Sequence, residues 1–175
     1  SPAQWLVSLF GDEVIDVRFA WIARCRASYG HRFLSPGRFD IANAEAYVES
    51  LRARHVLVDR KERERTMMDR VREAAHSLGG AHDPEVSLVA ENASLVEEPH
   101  VVTGTFDASF LSLPPSVIQA VARGHQKYFT VQKSADSHEL LPNYLTVANT
   151  ANAPVKVQRG NDRVIRARLA DARFF

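Results

Sequence analysis

The clearest hydrophobic pattern in the chain is a helical repeat over residues 59–78. Its apolar positions fall on one side of a helical wheel and its charged positions on the other, as in a helix that packs on a core through one face. Asp59 and Glu62 have the spacing of a capping box, and Gly79-Gly80 ends the repeat. The predicted buried face consists of Met67, Val71, Ala74, Ala75 and Leu78.

Shorter patterns predict the other elements. Apolar runs on both sides of Gly11-Asp12 predict a β-hairpin, since this dipeptide suits a tight turn. Polar caps, prolines and glycines mark the ends of helices, with Gly124 as a C-cap. Strands and helices are mixed without regular alternation, which predicts an α+β fold with a mixed or antiparallel sheet and packed helices. The predicted helices cover residues 43–54, 83–98, 114–123 and a last one from 158–161 onward, and the strands cover 100–106, 127–132 and 140–149.

Length and composition place the chain among ordinary globular proteins. It has 175 residues, 45% hydrophobic and 25% charged, so we expect one α+β domain over residues 1–175 with a possible helical insertion at 43–98. Cys25 is the only cysteine, which excludes an intrachain disulfide and suits a reducing cytosol. No apolar run reaches the roughly 20 residues of a membrane-spanning helix, so no membrane partner is expected.

The sequence contains no complete catalytic or metal-binding motif. Its seven histidines form no i, i+4 pair on one helix and no His-Glu-x-x-His, so we predict no metal site and no catalytic residue. His82-Asp83 matches the dipeptide of HD phosphohydrolases, but the other ligands of that chemistry are missing. We interpret Asp83 as a helix cap beside an exposed histidine. Cys25, between two arginines, is interpreted as a packing residue.

Charge is distributed unevenly although the net charge is only +1. Residues 18–38 contain arginines and no acid, whereas residues 81–98 contain acids and no Lys or Arg. In the last predicted helix, one side of the wheel carries a row of arginines, which can follow a phosphate backbone. A solvated face, or one docked on an acidic neighbour, is the alternative. The row consists of Arg159, Arg163, Arg166 and Arg173.

Arg168 lies apart from this row, among the apolar positions of the same predicted helix. It shares the side of the wheel that carries Val164, Ile165 and Leu169. A charge in such a place needs a partner, and Asp171 is the nearest candidate. We therefore expect Arg168 to be mostly buried in a structural ion pair or at an interface.

Polar side chains follow the helix that is predicted to end at Gly124. His125, Gln126 and Lys127 lie at the junction with the next strand. Such junctions are a common place for functional sites, although this signal is weak by itself.

A series of short stretches carries a resemblance that covers nearly the whole chain. Taken in their order along the chain, these stretches resemble the beta subunit of the bacterial heterotetrameric glycyl-tRNA synthetase. The resemblance implies that the chain is an internal piece from the N-terminal half of a larger subunit. Asp162 departs from the series, since the family usually has glutamate there. The stretches are Gly11-Asp12-Glu13, Gly30-His31-Arg32-Phe33, Ala93-Ser94-Leu95-Val96-Glu97, His125-Gln126-Lys127-Tyr128-Phe129, Leu141-Pro142-Asn143, Gly160-Asn161-Asp162-Arg163-Val164 and residues 166–175.

The resemblance implies a division of labour between two subunits. The alpha subunit looks like the class II catalytic core, which activates glycine with ATP and Mg²⁺, whereas the beta subunit binds tRNA and is needed for charging. We therefore expect a cytoplasmic protein with no cofactor in this chain. The expected partners are tRNA(Gly), the alpha subunit and the remaining beta-subunit domains. The candidate tRNA contacts are Arg159, Arg163, Arg166, Arg173, Lys127, His125 and Arg32.

Two alternative functions stay open. The chain could be a purely structural scaffold for subunit assembly, with its arginines in protein contacts. A hydrolytic editing site around His31, Arg32, His125 and Lys127 is the weaker alternative, because a tight pocket for glycine already excludes larger amino acids. In each case the chain alone is expected to be inactive in glycine activation.

Overall fold

In the computed structural model of the chain, residues 3–150 and 155–174 are described, except for the side chains of residues 125 and 155–157. The chain divides into two compact units, residues 1–59 and 60–175. Helices and small sheets with parallel and antiparallel pairs occur together, so the predicted α+β class is confirmed. The single domain over residues 1–175, with its possible insertion, stays a prediction.

The first unit is built mainly from short strands. Its described elements are β1 Leu6–Val7, β2 Leu9–Phe10, β3 Glu13–Val14, β4 Arg18–Phe19, β5 Ile22–Cys25, β6 Ala27–Tyr29, β7 Arg38–Asp40 and α1 Tyr47–Arg52. Strand β5 pairs in parallel with β1 and antiparallel with β4. The other pairs, β2–β3 and β6–β7, are antiparallel.

The hairpin predicted at Gly11-Asp12 is confirmed. Strands β2 and β3 pair with Leu9 opposite Val14, and Gly11 adopts a φ of +58°, which glycine reaches without strain. The helix predicted from Asn43 instead begins at Tyr47. The side chain of Asn43 accepts a hydrogen bond from the Ala46 N–H at 2.8 Å, so it closes a turn before the helix.

A fully buried histidine organises the loop after β6. His31 is 0% exposed, and its Nδ1 accepts hydrogen bonds from the backbone N–H groups of Phe33 and Leu34, each at 3.1 Å. The guanidinium of Arg54 lies 3.8 Å from the centre of the Phe39 ring. These contacts order a loop that has few apolar side chains to bury.

The second unit is a three-stranded antiparallel sheet covered by helices. Its described elements are α2 Arg60–Ser77, α3 Val86–Ala93, β8 His100–Thr105, a 3₁₀ helix Ala108–Ser112, α4 Pro115–Gln126, β9 Phe129–Gln132, β10 Leu140–Ala148 and α5 Val155–Phe174. Strand β10 lies between β8 and β9. The strands predicted at 127–132 and 140–149 are therefore adjacent, as expected.

The two faces of this sheet contribute to separate cores. Successive strand residues point to opposite faces, so Leu145 packs in one core and Tyr144 in the other. The core of Leu145 contains Met67, Val71 and Ala75 of α2, which confirms the predicted face of that helix. The core of Tyr144 is filled by α4, α5 and the 3₁₀ helix.

Some predicted helix boundaries in this unit are wrong. Helix α3 begins at Val86 and ends at Ala93, and Glu85 holds the N-cap position. The Asp83 carboxylate instead accepts a hydrogen bond from Arg72 at 2.9 Å. Helix α4 continues past Gly124 to Gln126, and Lys127 takes the left-handed C-cap conformation with a φ of +57°. The backbone of α5 is already helical at Val155.

Candidate nucleic-acid interface

Helix α5 is held on the sheet by a stripe of apolar and polar side chains. Ile165 and Leu169 are buried in the core of Tyr144. Towards the start of the helix, Gln158 donates a hydrogen bond from Nε2 to the Thr103 carbonyl at 2.7 Å. Asp162 accepts one from the Tyr144 hydroxyl at 2.6 Å. Since these anchors recur at three- and four-residue spacing, they fix the rotation of α5 about its axis.

The hydrogen bond between Tyr144 and Asp162 depends on a glycine in the neighbouring strand. Gly104 lies opposite Tyr144 in the β8–β10 register, and a Cβ atom at position 104 would overlap the Tyr144 ring. Tyr144 also stacks on Tyr128 with ring centroids 4.7 Å apart. Burial, followed by the hydrogen bond to Asp162 and its charge, raises the pKa of Tyr144 far above its ordinary value. The hydroxyl therefore stays a proton donor.

The predicted row of arginines lies on the exposed side of α5. We call Arg159, Arg163, Arg166 and Arg173 the arginine face; all of them are exposed. The first three line a hollow of about 510 Å³ together with two carboxylates, Asp107 in the loop after β8 and Asp162 of α5. Among the described residues, no carboxylate forms an ion pair with any of the four. Their guanidinium groups are therefore open to an external anion.

Of the two acids that line this hollow, Asp162 already accepts a hydrogen bond from the Tyr144 hydroxyl and Asp107 lies beside the arginine face. The Asp107 carboxylate accepts a hydrogen bond from the Ser109 N–H at 2.8 Å and so caps the 3₁₀ helix. That backbone bond is the main reason why the pKa of Asp107 is lowered, followed by the Ser109 hydroxyl and the charges of Arg166 and Arg173. The carboxylate is exposed and engaged in capping, so it offsets only part of the positive charge beside it.

Arg168 is exposed, so its predicted burial is wrong. The stripe that α5 buries is centred on Ile165 and Leu169, and at 100° per residue Arg168 lies about 100° away from Leu169. On the same outer side, Val164 is also partly exposed. Asp171 is exposed as well, and these two described side chains form no ion pair with each other in this structure.

The other candidate tRNA contacts lie on other elements. Lys127 forms an ion pair with Glu91 of α3, and its carbonyl accepts a hydrogen bond from Asn92 at 3.1 Å. His125 lies in α4, but its side chain is outside the described residues. Arg32 is exposed in the first unit. Of the predicted set, the arginines of α5 are the ones that share one side of a single helix.

The His82-Asp83 dipeptide is arranged differently from the sequence interpretation. The His82 ring is largely buried and lies edge-on to Phe129, with centroids 5.5 Å apart. Burial is the main cause that lowers the pKa of His82, so its ring is neutral near pH 7. Within the described part of the chain, no three His, Cys, Asp or Glu side chains are grouped to hold a metal ion.

Another hollow of the second unit, about 600 Å³, lies beside His82 and is bordered by Glu85 and Arg123. Arg123 donates hydrogen bonds to the Glu85 carboxylate and to the Ser87 hydroxyl. Its charge is therefore already compensated. This hollow lacks the open cations that distinguish the arginine face.

The residues that position the arginine face were not identified from sequence. Tyr144, Gln158 and Asp162 act through contacts between β8, β10 and α5, which are distant in sequence. Gly104 gives the one available signal, because a glycine inside a β-prone run indicates a close approach of another group. The partner of that approach could not be read from the pattern.

The arginine face is an exposed row of cations with no carboxylate partner among the described residues, carried by a helix on an antiparallel sheet. Such a row is a feature of the class of modules that bind polyanions. None of the described helices combines the length and the apolar composition that a membrane span requires.

Comparison with known proteins narrows this class to one family. A family model described as glycyl-tRNA synthetase beta subunit matches residues 1–175. Proteins named glycine–tRNA ligase beta subunit are 41% identical in Syntrophotalea carbinolica and in Moorella thermoacetica, over 99% of this chain and 25% of each relative. One of the same name in Myxococcus xanthus is 40% identical over the same shares. The chain belongs to the glycyl-tRNA synthetase beta subunit family, and it spans about a quarter of the length of these relatives.

Proposed function

We propose that this chain forms a non-catalytic, tRNA-binding and scaffolding part of a glycine–tRNA ligase. The main support is the arginine face of α5: exposed guanidinium groups without carboxylate partners among the described residues, on a helix whose rotation is fixed. The names of the relatives support the choice of tRNA as the polyanion. In this role the chain helps the ligase to attach glycine to tRNA(Gly) in an ATP-dependent reaction.

The chemistry of the face favours contacts with phosphates over reading of bases. Guanidinium groups bind phosphate oxygens with paired N–H donors. Arg159, Arg163 and Arg166 line a shallow hollow of α5, so their cations can follow a strand of the RNA backbone. Such contacts set the position and orientation of an RNA and carry no sequence information directly. Discrimination between tRNAs then belongs to other parts of the ligase.

Catalysis belongs elsewhere in this proposal. The alpha subunit supplies the class II core that uses ATP and Mg²⁺ to activate glycine, and it assembles with the remaining beta-subunit domains and this chain. We expect the purified chain to show no glycine-dependent ATP–pyrophosphate exchange above a buffer control. Exchange that rises with the concentration of the chain and disappears without glycine would contradict this assignment.

The tRNA-binding role can be tested by replacing cations on one side of α5. We expect Arg163→Gln with Arg166→Gln, in the full-length subunit assembled with alpha, to weaken tRNA binding. Arg168→Gln is the control, because it changes an exposed arginine of the same helix outside the arginine face; it removes one positive charge, and each single variant, Arg163→Gln and Arg166→Gln, is compared with it. Equal tRNA affinity for both variants would contradict the proposal.

A scaffold role is the second candidate, and the exposed side of α5 away from the arginine face favours it. Val164 is 37% exposed, and Arg168 lies near it on the wheel. An exposed apolar side chain beside a cation suits a contact with another protein surface. If this is the main role, Val164→Ser will reduce assembly with alpha or with other beta-subunit domains, and the two arginine substitutions will leave tRNA affinity unchanged.

The editing alternative has less support. His31, one of the four residues named for it, is 0% exposed, and its Nδ1 already accepts backbone hydrogen bonds that order a loop. A histidine that acts on an ester needs a ring nitrogen within reach of the substrate. The structural contacts of His31 therefore favour a role in the fold.

A further inference from the structure

Aromatic side chains surround a hollow in the first unit. The hollow has a volume of about 540 Å³, and its lining includes Trp5, Trp21, Tyr29 and Arg38. We call it the aromatic hollow. Tyr29 and Arg38 are directly opposite each other in the β6–β7 pair, so their side chains lie on the same face of that pair.

The rings of this hollow are unusually accessible to solvent. Trp21 is 83% exposed, and Trp5 and Tyr29 are 41% and 42% exposed. The Trp5 and Tyr29 rings are 4.6 Å apart with an angle of 53° between their planes, so they form two tilted walls. Large rings that contribute little to a core and converge on one hollow indicate a binding surface.

The charge around the hollow identifies the chemistry of its ligand. Residues 18–38 contain several arginines and no acid. Two of them have internal partners: Arg24 pairs with Asp16, and Arg26 donates to the carbonyls of Asp12 and Ala42. The others, Arg18, Arg32 and Arg38, are exposed and form no ion pair within the described part of the chain.

We propose that the aromatic hollow binds an unpaired nucleotide of RNA. The base stacks on the rings of Trp21 or of Trp5 and Tyr29, and Arg38 binds the adjacent phosphate. Planar aromatic groups combined with an uncompensated cation are the arrangement that holds single-stranded nucleic acids, since every base has a face that can stack. A purely apolar peptide would leave Arg38 without a partner. The proposed function enters only in the choice of RNA, because the hollow and the arginine face belong to different units.

The test compares two RNA hairpins bound to the full-length subunit. Both carry a fluorescein label and the same duplex; one ends flush and the other has a 3′ overhang of four adenosines. We expect Trp21→Ala to weaken binding of the overhang hairpin by about 5- to 150-fold, the range measured for loss of a stacked base, and to leave the flush hairpin unchanged. Trp21→Tyr keeps a stacking ring and should restore most of the affinity.

Matched variants make the result specific. Phe10→Ala removes a ring that is 79% exposed in the same unit but does not line the hollow, so both hairpins should bind as before. Arg38→Gln should weaken binding of the overhang hairpin only. It should also reduce the difference in salt dependence between the binding of the two hairpins. Circular dichroism of each variant checks that the fold is kept, which the exposure of Trp21 leads us to expect.

Different outcomes overturn this proposal and the proposed function. If Trp21→Ala and Arg38→Gln change neither hairpin, or change both equally, the hollow does not bind unpaired nucleotides. If they instead reduce assembly with alpha while RNA binding persists, a protein covers the hollow and the proposal is wrong. Failure of Arg163→Gln with Arg166→Gln to weaken tRNA binding would remove the role of α5, while an overhang-specific effect of Trp21→Ala would still support the hollow.

Discussion

Replacing Tyr144 with phenylalanine should loosen the attachment of α5 to the sheet. The substitution keeps the ring that stacks on Tyr128 and removes only the hydroxyl that donates to Asp162 at 2.6 Å. Hydrogen bonds to charged groups contribute about 1.5–3 kcal/mol. Asp162 keeps a long bond from the Thr105 N–H at 3.4 Å, and water can reach its carboxylate. We therefore expect the free energy of unfolding to fall by about 1.5 kcal/mol.

Urea unfolding of the 175-residue chain, followed by circular dichroism, measures this loss. Tyr128→Phe is the control, because its hydroxyl reaches only Gln126 Oε1 at 3.4 Å, and it should cost about 0.5 kcal/mol or less. Asp162→Ala should cost more than Tyr144→Phe, about 2–3 kcal/mol, since it leaves the buried hydroxyl of Tyr144 without an acceptor. A Tyr144→Phe variant within about 0.3 kcal/mol of the parent would refute the anchoring role of this bond.

Two further predictions concern the same anchor. Burial and Asp162 raise the pKa of Tyr144. The hydroxyl therefore contributes fully to stability below the unfolded pKa of about 10, and this contribution is lost as the pH rises above that value. In alkaline unfolding titrations, the free energy of unfolding should fall less steeply with pH for Tyr144→Phe than for the parent. An equal slope would contradict this. In urea unfolding, Gly104→Ala should lower the free energy of unfolding by about 1–3 kcal/mol, because its methyl group overpacks Tyr144. Gly124→Ala is the control, because its methyl group meets open space in α4; it should raise the free energy of unfolding by about 0.5–1 kcal/mol. A Gly104→Ala variant more stable than Gly124→Ala would show that the sheet accommodates the methyl group.

Local signals in the sequence were enough for the elements that depend on neighbouring residues. The buried face of α2 follows from its 3.6-residue repeat, and the turn at Gly11-Asp12 follows from the backbone freedom of glycine. The exposed arginine face was predicted correctly in part for the same reason, since its members share one side of a single helix. Its tRNA contacts stay a prediction.

Errors occurred where a distant residue competes with a local signal. Asp83 has the sequence context of a helix cap, but its carboxylate accepts a hydrogen bond from Arg72 of α2, and α3 begins at Val86. Gly124 resembles a C-cap, but Lys127 ends the helix instead. The helical wheel predicted the buried side of α5 correctly only around Ile165 and Leu169. The polar anchors Gln158 and Asp162 extend that buried side away from Arg168, so Arg168 lies in solvent.

The anchors of the candidate site could not be predicted from spacing at all. Tyr144 reaches Asp162 across a strand pair and a helix, through space that Gly104 leaves open. The same holds for the aromatic hollow, where Trp5 precedes β1, Trp21 lies in the turn between β4 and β5, and Tyr29 ends β6. Apolar rings in β-prone runs predict packing, and only the structure shows that these rings stay exposed.

The salt dependence of tRNA binding tests the central claim most directly. Each neutralised phosphate contributes about 0.9 to the slope of log K against log salt on a duplex, and less on a single strand. For the full-length subunit assembled with alpha, we predict that Arg163→Gln with Arg166→Gln flattens this slope by roughly one to two units, leaves the preference among tRNAs unchanged and keeps assembly intact. Arg168→Gln should leave the slope as it is. An unchanged slope for the double variant, together with loss of assembly, would contradict the tRNA-binding role and assign α5 to protein contacts.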